Sequence, residues 1–190
     1  MQSISCFPDQ QIHAFLTGGA GVGKSVLIDT LFQALHIFLG GLAGENPDDQ
    51  RILLCAPTGK AAYNISGVTI HSAFKINPNQ GFNFKKISSD QLNTLRVRYR
   101  HLSVVIIDEI SMVGNKQFLF MHLRLQEIKT SPKPFGGIHM IAVGDFFQLK
   151  PFKDQCIFMN LKDGYGPLTT NLWKEYFHMH ELQHHKILQH

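Results

Sequence analysis

Lys24 and Ser25 close a stretch, residues 17–25 (TGGAGVGKS), in which glycines stand at Gly18, Gly19, Gly21 and Gly23. Glycines at that spacing let the backbone turn tightly and aim successive N–H groups at one point, which suits an anion. Ala20, Val22 and Val26 contribute the remaining backbone of this cradle. A helix opening near Lys24 adds its unpaired N–H groups and the positive end of its dipole. Lys24 can reach β- and γ-phosphates, and the Ser25 hydroxyl can ligate Mg²⁺. Such a loop needs a strand before it and a helix after it. Both are legible: 12–16 is an apolar run, and VLIDTLFQALHIF has apolar residues at helical spacing.

Three further segments carry chemistry. In VVIIDEISM the apolar run 104–107 delivers Asp108 and Glu109 to its carboxyl end. Asp108 is placed to hold Mg²⁺ through its hydration shell, and Glu109 to orient and deprotonate a water. Alone, the pair reads first as charges at a helix N-terminus; beside a phosphate loop it reads as catalytic. No N-K-x-D element for a guanine base is present, because Asn115-Lys116 lacks the Asp, so ATP is the expected nucleotide. In AVGDFFQLKP, Gln148 follows Gly144-Asp145 and can report loss of a γ-phosphate to the loop beyond it. In APTGKAAYNISGVTIHSAF, Thr58, Gly59 and Lys60 open a helix suited to a phosphodiester backbone, Thr69, His71 and Ser72 supply short donors, and Phe74 is a candidate to stack on a base.

Short apolar runs alternate with helical segments: IHAFL and a helix to about Phe38, RILLCA and a helix from about Gly59, LSVVIID and NKQFLFMHLRLQEIK, IHMIAVG and a helix over LTTNLWKEYF. Four β-α units in series predict an α/β fold with a mainly parallel sheet covered on both faces and its ligand at the carboxyl ends of the strands. Residues 40–50 read as a surface loop. Residues 77–100 read as an insertion, either a small subdomain touching nucleic acid or a decorated loop ending in a solvated helix.

The chain has 190 residues, 44% of them hydrophobic, enough for one sizeable core. A net charge of +4 permits a polyanionic partner without requiring one. Cys6, Cys55 and Cys156 are odd in number and lack a C-x-x-C pair, which argues for a reducing, intracellular compartment. No run is long enough to span a membrane, and no basic residue precedes Lys24, so neither a membrane partner nor a leader is expected. The histidines His178, His180, His184, His185 and His190 have spacings that could gather imidazoles around a metal, although most such surface clusters bind nothing.

In their order and spacing these four segments resemble the Pif-type (petite integration frequency) DNA helicases, relatives of RecD within superfamily one, over residues 12–182. Those of transposable elements look closest. The resemblance implies a RecA-like P-loop NTPase, the first motor domain over residues 1–182 with 77–100 inside it and a divergent tail at 183–190. It implies Lys24 and Ser25 on phosphates and Mg²⁺, Asp108 on the metal, Glu109 as base and Gln148 as γ-phosphate sensor. Thr58, Gly59, Lys60, Thr69, His71 and Ser72 would lie along single-stranded DNA. It further implies ATP-driven 5′ to 3′ translocation, action at duplex junctions, roles in DNA repair, recombination and telomere maintenance, and a nuclear setting ahead of a mitochondrial one.

Three departures qualify the resemblance. Gln10 and Gln11 sit too close to the first strand for the family's adenine-reading glutamine. The segment QHHKILQH has no arginine where the family carries one aimed at the γ-phosphate. A second RecA-like lobe is missing from these residues. Two other readings stay open: a non-catalytic, binding-only remnant of a mobile-element helicase, and a P-loop kinase, for which no Arg-rich lid is visible.

Overall fold

The computed structural model of the chain describes residues 11–41, 49–79, 81, 83–160 and 171–183. Along it run β1 (His13–Thr17), α1 (Lys24–Gly40), β2 (Ile52–Ala56), α2 (Gly59–Asn64), β3 (Val68–Thr69) and α3 (Ile70–Phe74). They are followed by α4 (Ser89–Arg98), β4 (Val104–Ile107), α5 (Asn115–Lys129), β5 (His139–Gly144), α6 (Leu172–Tyr176) and β6 (His178–Glu181). The strands form one sheet in the order β3-β2-β4-β5-β1-β6, and every pairing in it is parallel.

A strand covered on both faces needs apolar side chains at every position, and VVII of β4 shows the consequence. Val105 and Ile107 enter one core with Leu53, Cys55, Met140 and Ala142; Val104 and Ile106 enter the other with Ile52, Ala56 and Val143. Residues from α3, α4, α5 and α6 fill the first core, while α1 and α2 close the second through Ile28, Leu39, Ala61, Ala62 and Ile65. Val105, Ile106 and Ile107 are fully buried, at about 1.5–3 kcal/mol per side chain. That burial fixes the height at which the following Asp108 emerges.

The four expected strands are present, and the sheet has two more. β3 is two residues long, and β6 is an exposed edge strand that pairs Ala14–Thr17 with His178–Glu181. Of the helix expected over 168–177, the described part starts at Leu172, because the Asn171 side chain caps it by accepting from Lys174 N at 3.1 Å. Residues 168–170 and most of the expected surface loop 40–50 lie outside the described residues.

The segment 77–100 ends in α4, a helix exposed over most of its length that docks through Leu95. α4 starts with a reciprocal capping box between Ser88 and Gln91, and its buried Leu95 and the following Tyr99 join the main core. The Tyr99 hydroxyl donates to Ala73 O at 3.1 Å. From α5, buried Arg124 donates to Phe74 O at 3.1 Å and to Lys85 O at 2.9 Å, with its guanidinium 4.7 Å from the Phe84 ring centroid. No helix among the described residues is long and apolar enough to cross a membrane.

Candidate active site and nucleic-acid groove

Because β4, β5 and β1 are neighbours, three chain segments leave the sheet side by side at its carboxyl edge. Ile107 pairs with Ala142 and Thr17 with Gly144, so the glycine loop, Asp108 and Asp145 start at nearly one level.

In the loop, Gly21 and Gly23 hold φ values of 77° and 88°, conformations that a side chain would strain. Gly18 is needed for space instead: a Cβ there would lie 2.7 Å from Val22 Cγ2 and 3.2 Å from Leu182 Cβ. Leu182, just past β6, is itself tied to the loop's base, since its N–H donates to Thr17 O at 2.7 Å. The Lys24 ammonium donates to Gly18 O at 2.7 Å and Gly19 O at 2.8 Å, so it spans the mouth of the cradle. Gly19, Ala20, Gly21, Gly23, Ser25 and Val26 are exposed there.

Asp108 is buried, and its Oδ1 accepts from Glu109 N at 2.9 Å. Glu109 is left-handed (φ 51°, ψ 46°), which costs about 1–2 kcal/mol and turns the chain into the 3-10 segment Ile110–Met112. Burial raises the Asp108 carboxyl above its ordinary value, opposed by the Glu109 N–H and by Lys24. Burial raises Glu109 too, reinforced by the Asp108 and Asp145 charges and opposed by Lys24. Asp145 goes the other way: the Phe147 N–H at 2.9 Å and the Gln148 amide at 3.0 Å hold its carboxyl low, with help from Lys24. One ammonium therefore acts on all three carboxylates. Gly144 completes the contact, since a Cβ there would meet Ile110 N and Cγ2, both at 3.0 Å.

The structure brings Lys24, Asp108, Glu109 and, through Asp145, Gln148 to one rim. A cradle of N–H groups, an ammonium and a shielded acid pair fit a nucleoside triphosphate, and Ser25 with Asp108 supply the oxygen donors that a hard Mg²⁺ takes alongside phosphate and water. Asp145 was missed as a functional residue by sequence reading. Its position two residues before an N–H it can cap was the available signal.

Beside this rim lies a groove of about 510 Å³, lined by Pro57, Thr58, His71, Asn77, Asn79, Lys116, Gln117, Phe152 and Lys153, among others. Of the six residues expected along DNA, Thr58 and His71 line it; Gly59, Lys60, Thr69 and Ser72 lie outside its lining, with Gly59, Lys60 and Ser72 exposed. The Thr58 and Thr69 hydroxyl oxygens accept from Ala61 N and Ser72 N, capping α2 and α3, and their protons remain available to donate outward. Burial lowers the His71 pKa, so at neutral pH it is an uncharged partner, 3.4 Å from Gln117 Nε2.

Phe74 corrects the sequence reading: it is fully buried against Tyr99 and reaches no base. Its place as an exposed ring is taken by Phe152, 84% exposed, with Lys153 Nζ 5.2 Å from its centroid. The basic and aromatic run KPFK after Gln148 was the unused signal. Gln11 lies at the amino end of β1, opposite the glycine loop, so it does not face a base bound there; Gln10 lies outside the described residues. His178 and His180 are exposed on β6, His184, His185 and His190 lie outside the described residues, and no group of three potential metal ligands of the His, Cys, Asp and Glu types occurs among those described.

A family model described as PIF1-like helicase matches residues 2–188. The chain is 39% identical over 140 residues to the ATP-dependent DNA helicase PIF1 of Emericella nidulans, which covers 72% of this chain and 18% of that protein. Its fold is similar to the crystal structure of Pif1 helicase from Candida albicans, with TM-score 0.70 and 29% identity over 90% of this chain and 36% of the other. It is similar also to Pif1 helicase from Bacteroides in complex with ADP-AlF3 and ssDNA, with TM-score 0.62 and 30% identity over 93% of this chain and 39% of the other. The chain thus spans about a fifth of the length of the curated relative, 18%.

Proposed function

The chain belongs to the PIF1-like helicase family, and on that premise we propose that it is the ATP-binding first motor lobe of a 5′ to 3′ DNA helicase, using ATP·Mg²⁺ and single-stranded DNA. The observation that carries the reading is the convergence of Lys24, Asp108, Glu109 and Asp145 with its bound Gln148, at the ends of three adjacent strands and beside a groove.

In this reading Lys24 exchanges its two carbonyl partners for phosphate oxygens, while the loop N–H groups from Gly18 to Ser25 cradle the rest of the anion. Ser25 and Asp108 would hold Mg²⁺, which would neutralise charge on the phosphates. Glu109 accepts the proton of the attacking water. Its raised pKa makes it a stronger base than an ordinary carboxylate. Gln148 leaves Asp145 for the γ-phosphate and returns when that group departs.

Single-stranded DNA occupies the groove, with Thr58, His71 and Gln117 as neutral partners, Lys116 and Lys153 toward phosphate, and Phe152 as a stacking surface. The Bacteroides relative with ADP-AlF3 and ssDNA supports the pairing of these two ligands. Family membership alone supports action at duplex junctions and roles in DNA repair, recombination and telomere maintenance; a nuclear setting, ahead of a mitochondrial one, is part of the proposal.

An arginine finger is worth roughly 10³–10⁵ in turnover. Residues 183–190, QHHKILQH, carry no arginine, so the 190 residues are expected to bind ATP and to hydrolyse it slowly. The test compares ATPase rates with and without single-stranded DNA for the chain, Lys24→Ala and Glu109→Gln. DNA-dependent turnover that both variants lose supports the motor reading. Turnover indifferent to DNA points to a kinase, and a rate no higher than the variants' points to a binding-only remnant.

A further inference from the structure

Two catalytic segments meet again away from the triphosphate. Five residues after Glu109 the chain reaches Gly114, which precedes α5; six residues after Gln148 it reaches Asp154. There the two are stitched together. Gly114 and Cys156 form an antiparallel bridge, Asn115 N donates to Gln155 O at 2.9 Å, and the Asn115 amide donates to Met159 O.

Asp154 sits at the centre of this joint. Gly114 has φ −79°, a conformation open to any residue, so its lack of a side chain serves space and not backbone freedom. A Cβ at 114 would collide with the Asp154 carboxylate. The carboxylate thus occupies the place where a capping side chain of α5 would otherwise be, accepting from Gln117 N at 3.4 Å and facing the positive end of a 15-residue helix. Its other oxygen accepts from Gln155 N at 2.8 Å. The same joint edges the groove: Gly114 before α5 and Lys116 and Gln117 in its first turn line it on one side, and Phe152, Lys153 and Asp154 line it from the segment after Gln148.

We propose that Asp154 is a positioning residue that couples nucleotide at the glycine loop to nucleic acid in the groove, by clamping the segment after Gln148 onto the start of α5. The inference rests on the two-ligand reading above. Movement of Gln148 between Asp145 and a γ-phosphate shifts the segment it begins, and the Asp154 clamp makes α5 and the groove wall follow.

Affinity of the chain for a fluorescent non-hydrolysable ATP analogue with Mg²⁺, measured with and without saturating oligo-dT, tests this. For the unmutated chain the expected change is about fivefold or more, with the reciprocal effect on oligo-dT affinity. Asp154→Ala should bring that factor close to unity while DNA-free nucleotide affinity stays within about twofold. Asp154→Asn, which keeps a capping oxygen, should retain it. Gly114→Ala, which displaces the carboxylate from the opposite side, should behave like Asp154→Ala. Thermal melts and circular dichroism exclude a folding defect. Coupling unchanged in Asp154→Ala overturns the proposal, as does an equal loss of nucleotide affinity without DNA, or an unmutated chain that binds both ligands independently. An unmutated chain that binds neither ligand overturns the functional reading itself, and is recognised before any variant is made.

Discussion

The side-chain amide of Gln148 donates to the Asp145 carboxylate at 3.0 Å, which keeps the expected phosphate sensor bound within the rim. A γ-phosphate must draw it from that partner. Gln148→Ala should therefore leave ADP affinity unchanged and weaken an ATP analogue by about three- to tenfold, because the amide gives up its bond to Asp145 and only the net of about 0.5–1.5 kcal/mol for a typical hydrogen bond is lost. Equal effects on ADP and the analogue would argue against a γ-phosphate contact.

The acid pair is a stability liability. Asp108 and Glu109 both have carboxyls raised above their ordinary values of 3.8 and 4.5, mainly by burial. A raised carboxyl contributes stability below its unfolded pKa and loses that contribution as pH rises through the folded value. At pH 7 without ligand, Asp108→Asn and Glu109→Gln should each melt above the unmutated chain by a few degrees, about 2–4 °C per kcal/mol for a domain of this size. The gain should shrink as the pH approaches 4. Melting at or below the unmutated temperature at pH 7 would count against this assignment of strain.

At the amino edge of the sheet His13 and His122 have pKa values lowered from 6.5 to about 4 by burial. His122 Nδ1 accepts from Phe135 N, and His13 packs against Phe135 and Phe177. For histidine a lowered folded pKa means stability that is complete above 6.5 and lost as pH falls toward 4. The denaturant midpoint should drop across that window, and less steeply for His122→Gln. A flat profile between pH 6.5 and 4 would contradict neutral burial of these rings.

Gly18 and Gly19 are adjacent and alike in sequence, yet they differ in what surrounds them. A Cβ on Gly18 meets Val22 and Leu182, whereas a Cβ on Gly19 meets nothing within 4 Å. Gly18→Ala should weaken nucleotide binding about tenfold or more by displacing the loop, the cost of overpacking being about 1–3 kcal/mol. Gly19→Ala should stay within about threefold, which corresponds to under 1 kcal/mol. Equal titrations for the two variants would remove Leu182 as a support of the loop.

What could be read in advance depended on pattern length. VVII and MIAV are apolar throughout because both faces are covered, and NKQFLFMHLRLQEIK has the bounds of α5 to the residue. Glycine spacing and the acidic pair located the phosphate rim for the same reason: each motif is local. β6 escaped notice because HMHE is exposed on both faces and carries no apolar alternation, and β3 because two residues are too few for any period. Phe74 was placed on the wrong side because a single turn of helix, IHSAF, does not reveal which face is buried. The Asp154–Gly114 joint spans forty residues of sequence, and no local pattern encodes it.

One triphosphate shared by Lys24, Ser25, Asp108 and Gln148 is the arrangement proposed above. Isothermal titration of the chain with Mg·ATP, beside Lys24→Ala, tests it most directly. Saturable binding at a single site, weakened about tenfold or more (roughly 1.4 kcal/mol) in Lys24→Ala, is the expected result. An unmutated chain that takes up no nucleotide, or a Lys24→Ala variant that binds as tightly as the parent, would contradict it.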